Sequence, residues 1–393
     1  MSNRANLNSS YSYSISALWL TAGLLILLVF LLTGCIKQSS IKANVKQITL
    51  KQITDNNAYV IKANTRNGNL KYVVSQIDVS SNNIQDTIEV DKAYQFLYKT
   101  IDGDVLLVDG KIDMMLGKEI KKYIVAEKKI IPFIKTKQYY PTTVSYYNGL
   151  FYVLLGAHDS GPLWIEVFDI NGKFVKEVKL DNASMCLYGS TYLDKKAGKL
   201  WLIAQDFKKN TNGVPYIIIF DLKTFIFNCI VPPFDKEFHA VNSIAVNEKA
   251  KSIYLAPCVR LKDNKYIVNN YVYEYSFPSM NYINKIDVGN QPIDLIFVEK
   301  DNKLYVNDGI NITVIDKIAN KVIKTTQFYA FRMEYIGNSK LLISTLKPIN
   351  KIDKITGTIQ MIGSVEKLIM IDTKNDKILK EYDGSYGPIS RKI

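Results

Sequence analysis

Few residues in this chain combine a reactive group with a spacing that does chemistry. Cys35 is the first, a thiol directly after Leu32, Thr33 and Gly34 at the end of an apolar run over residues 17–32. Small residues ahead of such a thiol let the backbone enter a peptidase, and the thiol can be alkylated to a thioether carrying diacylglycerol. A second set, Tyr140, His158, His239, Arg260 and Arg332, falls in or beside connections between short apolar runs. Cations next to aromatics hold an anionic or carbohydrate ligand by charge, stacking and hydrogen bonding. A third set is the series Asp169, Asp221, Asp316 and Asp372, each closing a β-rich run before a polar turn. A metal or catalytic series is one reading. Acceptance of hydrogen bonds from the backbone of the following turn is the other, and turn chemistry favours it.

Several reaction classes lack their motifs. There is no G-x-S-x-G, H-E-x-x-H, P-loop, G-x-G-x-x-G or Ser-x-Asp-x-Gly box, so no motif-borne nucleophile, zinc helix or phosphate cradle is expected. Two histidines do not make a multi-histidine metal centre, and three tryptophans disfavour a quinone site built on tryptophan docking motifs. No metal or dissociable cofactor is expected, although scattered aspartates leave Ca²⁺ open. Beyond Cys35 stand Cys186, Cys229 and Cys258, an odd number without C-x-x-C. Cys229 and Cys258 sit in or after apolar runs and are expected as buried thiols.

The elements that carry these residues begin with the N-terminus. A polar lead containing Arg4 and no acidic residue, the apolar run and Leu32-Thr33-Gly34-Cys35 together resemble a bacterial lipoprotein signal peptide with its lipobox. The resemblance implies that residues 1–34 are removed, that Cys35 carries the lipid, and that residues 35–44 form a short tether to an extracytoplasmic membrane face. The sixteen apolar residues are short for a membrane span. Loss of Arg4 lowers the formal net charge from +13 to +12. A basic body beside anionic lipid or wall polymer gains long-range attraction at low salt.

The body of the chain is organised around residues 285–328. Residues 292–298, 304–308, 310–316 and 321–326 read as four strands separated by polar turns, with apolar residues at 310, 312 and 314 in the alternation a two-faced sheet requires. Four antiparallel strands in about 40 residues make one propeller blade. The residues Val288-Gly289-Asn290-Gln291-Pro292, Lys303-Leu304-Tyr305-Val306-Asn307, Val314-Ile315-Asp316 and Asn320-Lys321-Val322-Ile323-Lys324-Thr325 resemble the YVTN-type β-propeller repeat of surface-layer and lipoprotein propellers. The signature tetrad here is Tyr305-Val306-Asn307-Asp308.

The pattern recurs in degraded form. The expected fold is therefore all-β, a seven-bladed β-propeller of four-stranded antiparallel blades over residues 45–393. In the second blade the strands are expected at 93–98, 105–108, 112–116 and 120–125. Residues 384–390 echo 289–294 and are expected to close the ring on the first blade. Connections on one face are tight, and those on the other are long: 134–141, 157–162, 181–188, 206–215, 232–240, 257–270 and 347–366. Binding sites favour long loops on a rigid scaffold. The expected function is a membrane-anchored surface lipoprotein, monomeric, whose propeller binds a protein, glycan or polyanion through that face. The alternatives are an extracytoplasmic propeller hydrolase with a site in the central funnel, and a binder of nucleic acid or wall polymer.

Overall fold

The computed structural model describes residues 56–393 except 67–68, 110–116, 139, 157–162, 181–190, 207–213, 234–237, 239, 258, 263–264 and 353–358. The expected signal peptide and tether, residues 1–44 with Leu32, Thr33, Gly34 and Cys35, lie outside the described residues, as do His158, His239, Cys186 and Cys258.

Thirty strands and no helix are found among the described residues. The first group is β1 (Asn57–Arg66), β2 (Asn69–Asp78) and β3 (Asn83–Val90), followed by β4 (Phe96–Lys99), β5 (Val105–Val108), β6 (Glu119–Ile124) and β7 (Lys129–Lys135). The next sheet is β8 (Tyr140–Tyr147), β9 (Leu150–Gly156), β10 (Leu163–Asp169) and β11 (Phe174–Leu180). After it come β12 (Thr191–Asp194), β13 (Lys199–Asp206), β14 (Val214–Asp221) and β15 (Phe227–Ile230). β16 (Val241–Asn247) and β17 (Ser252–Pro257) precede a separate hairpin of β18 (Val259–Lys262) and β19 (Lys265–Val268), and β20 (Tyr271–Ser276) and β21 (Tyr282–Asp287) complete their sheet. The last two four-stranded sheets are β22 (Asp294–Val298), β23 (Lys303–Asn307), β24 (Asn311–Asp316), β25 (Lys321–Gln327) and β26 (Ala330–Gly337), β27 (Lys340–Ile352), β28 (Ile359–Asp372), β29 (Lys377–Asp383).

The final strand, β30 (Ser385–Lys392), lies antiparallel to β1, with Val60 opposite Ile389, and its end runs parallel to β4, with Ser390 opposite Leu97. The sheet order β3-β2-β1-β30 is the closure expected from the echo in residues 384–390. The full order is β3-β2-β1-β30-β4-β5-β6-β7, one eight-stranded sheet. Among the described residues the apolar core falls into seven clusters: six lie between consecutive sheets, one of these pairing β1, β2 and β30 with β27–β29, and the seventh lies between the β1–β3 and β4–β6 parts of the eight-stranded sheet. Middle strands explain this division. In β13, Leu200, Leu202 and Ala204 point into one interface while Trp201 and Ile203 point into the next. A strand buried on both faces reads as a continuous apolar run, and each fully buried aliphatic residue contributes about 1.5–3 kcal/mol.

Turn chemistry places the strands. Asn148 and Gly149 both have positive φ, as a two-residue hairpin turn between right-twisted strands requires. Gly172 sits at φ +76 against the Phe133 carbonyl, where a Cβ would meet the oxygen at 2.2 Å. The aspartate series proves to be turn chemistry. Asp169 Oδ1 accepts from the Asn171 and Lys173 amides, Asp221 Oδ1 from those of Lys223 and Thr224, Asp316 Oδ1 from those of Ile318 and Ala319, and Asp372 Oδ1 from that of Lys374.

Four expectations are corrected. Residues 120–125 hold the third strand of their sheet rather than the fourth, which is β7; the expected strand 112–116 lies outside the described residues. The apolar run 130–134, interrupted by Pro132, is thus an edge strand, the position where a missing ladder donor is tolerated. The connection 347–366 is largely a continuation of the β27–β28 ladder. The connection 257–270 contains the β18–β19 hairpin. Cys229 is exposed, because β15 is an outermost strand with no sheet stacked on its outer face.

Candidate functional site

The first strands of neighbouring sheets pack beside one another around an axis: β16 by β22, β22 by β26, β26 by β30, β30 by β4 and β4 by β8. Where β4, β22 and β26 begin and β30 ends lies a cavity of about 240 Å³, lined by Phe96, Ile293, Asp294, Asn307, Phe331, Arg332, Met333, Glu334, Ile389 and Arg391. This end of the scaffold is the one marked in the sequence by long connections. Phe331, 54% exposed, and Ile293, 39% exposed, stand at its mouth.

β26 builds the charged wall. A bulge between Ala330 and Arg332, with Thr345 and Ser344 opposite, leaves Phe331 as the extra residue and sets the register of the strand beyond it. Arg332 and Glu334 then share one face by the two-residue period of a strand, while Met333 points into the core. β22 brings Asp294 from one side and β30 brings Arg391 from the other.

Arg391 Nε donates to Glu334 Oε2 at 2.7 Å. Their side chains are 31% and 19% exposed, toward the cavity they line. Asp294 Oδ1 accepts from Ser243 Oγ at 3.1 Å and from the Leu295 amide at 2.9 Å. Arg332 lies over the Phe96 ring at 5.0 Å and beside the Phe331 ring at 5.8 Å. No carboxylate among the described residues reaches it as an ion-pair or hydrogen-bond partner. Asn307 is fully buried at the end of β23; its Oδ1 accepts from the Gly309 amide, and its Nδ2 has no acceptor among the described residues.

The electrostatics follow from desolvation of four charges around one small space. Burial pushes Glu334 up to about 7, with Asp294 adding to the effect and Arg391 opposing it. Burial also raises Asp294, against Arg391 and the Ser243 hydroxyl. Burial works to lower Arg391, but Glu334 and Asp294 outweigh it and hold it above the ordinary guanidinium value. Arg332 is lowered, by burial and by Arg391. Two guanidinium forks, two carboxylates and two phenyl rings near Arg332 suit recognition of a small polar ligand. Among the described residues no group of three or more His, Cys, Asp or Glu is placed to hold a metal ion.

Of the residues singled out in the sequence, only Arg332 lines this cavity. Tyr140 is buried at the start of β8, against Gly156. Arg260 lies in the β18–β19 hairpin, opposite Ile267. His158 and His239 are outside the described residues. Asp294, Glu334, Arg391 and Asn307 were missed. The signal that points to them is charge at alternate positions, Arg332 and Glu334, in a strand that opens a sheet, and Asp294 and Ser390 at matching places after Pro292 and Pro388.

No family model matches the chain, and no curated protein matches it. Solved structures do. A functionally unknown protein from Desulfotomaculum acetoxidans DSM 771 aligns over 86% of this chain and 100% of its own at 12% identity, with a TM-score of 0.51. The computationally designed Ika8 protein aligns over 83% of this chain and 87% of its own at 8% identity, with a TM-score of 0.50. Apo AztD from Citrobacter koseri covers 85% of this chain and 97% of its own at 10% identity, with a TM-score of 0.49. At these identities the likeness speaks to the fold alone. Four-stranded antiparallel sheets set around an axis, each sharing a core with the next, make the chain a β-propeller-like protein.

Proposed function

We propose that this chain is a seven-bladed, YVTN-like propeller, anchored through Cys35 on the extracytoplasmic face of a bacterial membrane, that acts as a binding module through its axial cavity. The observation that carries the binding reading is the cavity wall itself, where Arg332 faces open space beside Asp294 and the Arg391–Glu334 pair. The seven blades rest on the seven shared core clusters. The anchor rests on Leu32-Thr33-Gly34-Cys35 and the apolar run before it.

A thermal-shift screen of the full-length protein in detergent, run in parallel on Arg332→Gln, tests the binding reading. A ligand that binds only the folded state raises the melting temperature with its affinity. Hits on the unaltered protein that vanish in Arg332→Gln support the cavity. Hits indifferent to the substitution place binding elsewhere. Membrane fractionation of Cys35→Ala tests the anchor: release from the membrane supports it, and unchanged retention refutes it.

The enzymatic alternative has one observation in its favour, since a carboxyl titrating at about 7 suits general acid–base work. It predicts ester or lactone hydrolysis whose rate breaks near pH 7 and is lost in Glu334→Gln.

A further inference from the structure

Resting on the cavity as the binding site, we infer that its ligand is a small zwitterion of the α-amino-acid class. Its carboxylate meets Arg332, its ammonium meets Asp294, and its apolar side chain lies against Phe331 and Ile293.

The charge inventory leads there. Above about pH 7, where Glu334 is ionised, Arg391 and Glu334 neutralise each other at 2.7 Å. That leaves one cation and one anion on the wall, on adjacent strands, without an ion pair between them. Asp294 uses Oδ1 for both of its hydrogen bonds, and Oδ2 has no donor among the described residues. The Arg332 guanidinium carbon lies 5.0 Å from the Phe96 ring centroid, and its N–H groups have no acceptor among the described residues. A planar guanidinium fork matches a carboxylate bidentately. Asn307 Nδ2 is a further donor without an acceptor among the described residues.

Charge balance then selects the class of ligand. A monocarboxylate would satisfy Arg332 and bring a second anion toward Asp294. A simple amine would satisfy Asp294 and bring a third cation toward Arg332 and Arg391. Each leaves a buried charge without its partner, which is costly. A dipolar ligand satisfies both and leaves the cavity neutral. Size agrees: about 240 Å³ is below the ~300–1,000 Å³ common for drug-sized ligands. Apart from Asn307 the remaining lining residues are apolar, so a side chain of the leucine kind fits their chemistry.

Three matched probes test the inference on the full-length protein by calorimetric titration: L-leucine, 4-methylpentanoate, which lacks the ammonium, and 3-methylbutylamine, which lacks the carboxylate. Leucine is expected to bind saturably and each truncated probe about 10-fold or more weaker, the loss of one charge-assisted contact. Arg332→Gln and Asp294→Asn are each expected to weaken leucine by a similar factor. The probe comparison needs no substitution and stands if a variant fails to fold. Equal binding of 4-methylpentanoate and leucine would overturn the zwitterion assignment and leave the cavity as a carboxylate site. Absence of leucine binding at millimolar concentration would also overturn it. The screen against Arg332→Gln then separates a cavity with another ligand from a failure of the binding reading itself.

Discussion

At the scale of single residues, Glu334 is the group whose protonation couples the cavity to the stability of the fold. Its ordinary value of 4.5 rises to about 7 in the folded state, so between those values the folded protein holds a proton that the unfolded chain has released. Stability therefore falls as pH rises through that window, and the loss is complete above about pH 7. Arg391, Arg332 and Asp294 face the carboxyl and set how steep the fall is. Melting curves between pH 4.5 and 8 are expected to show this decline, flattened in Glu334→Gln, whose amide oxygen still accepts from Arg391. Parallel curves for the two proteins would remove Glu334 as the cause. The aspartates that close third strands are a different matter. Their role is local, two to four residues long, and for that reason it was readable in the sequence.

At the scale of elements, polar clamps register one sheet against the next. Lys303 on β23 donates to Asp376 Oδ2 at 2.6 Å and to the Thr373 carbonyl, and Tyr305 donates to Asp376 Oδ1 at 2.5 Å. Both charges are about nine-tenths buried, 10% and 9% exposed. Asp376→Ala strands the buried ammonium and is expected to cost about 3–5 kcal/mol, read as a drop in melting temperature. Asp376→Asn is expected to cost less, since an amide still meets Tyr305 and Asn tolerates the φ of +57 at this turn. A loss below about 1 kcal/mol in the alanine variant, the scale of an exposed pair, would show that the clamp contributes little. The long β27–β28 hairpin shows where reading elements from sequence failed. Pro348, Asn350 and Lys351 look like a loop, but beyond Thr345 β27 has no second neighbour, so a proline there removes no ladder bond.

At the scale of the whole molecule, closure by β30 is the decisive feature. Ile389 packs with Val60 and Tyr386 in the cluster that also holds Leu342, Leu368 and Met370. On the rim, Lys340 donates to the Val79 carbonyl and Tyr382 to the Asn82 carbonyl at 2.7 Å, tying the last sheet to the first. Deleting residues 385–393 removes the first strand of a sheet, uncovers the β1 and β4 edges, and takes Arg391 from the cavity. The expected result is a chain that aggregates and no longer unfolds in one transition, since an unpaired edge is a template for association. A monodisperse truncated protein melting within a few degrees of the full chain would show that closure is dispensable. The outer strands carry charge against the same hazard, as in Lys321-Val322-Ile323-Lys324 of β25 and Lys377-Ile378-Leu379-Lys380 of β29.

The amino-acid sequence alone determined the strands, the tight turns, the repeat and the return of the C-terminal strand, because each is encoded by alternation and turn residues within a few positions. Through loop length it also marked the end of the scaffold at which the axial cavity lies. Only the tertiary structure decided which charges meet. Asp294, Arg332, Glu334 and Arg391 belong to three strands spread over about a hundred positions, and although Arg332 and Glu334 stand two residues apart, nothing local names Asp294 or Arg391 as their partners. They come together because each lies on a first strand, and first strands become neighbours only when the sheets pack around a common axis and β30 returns to close them.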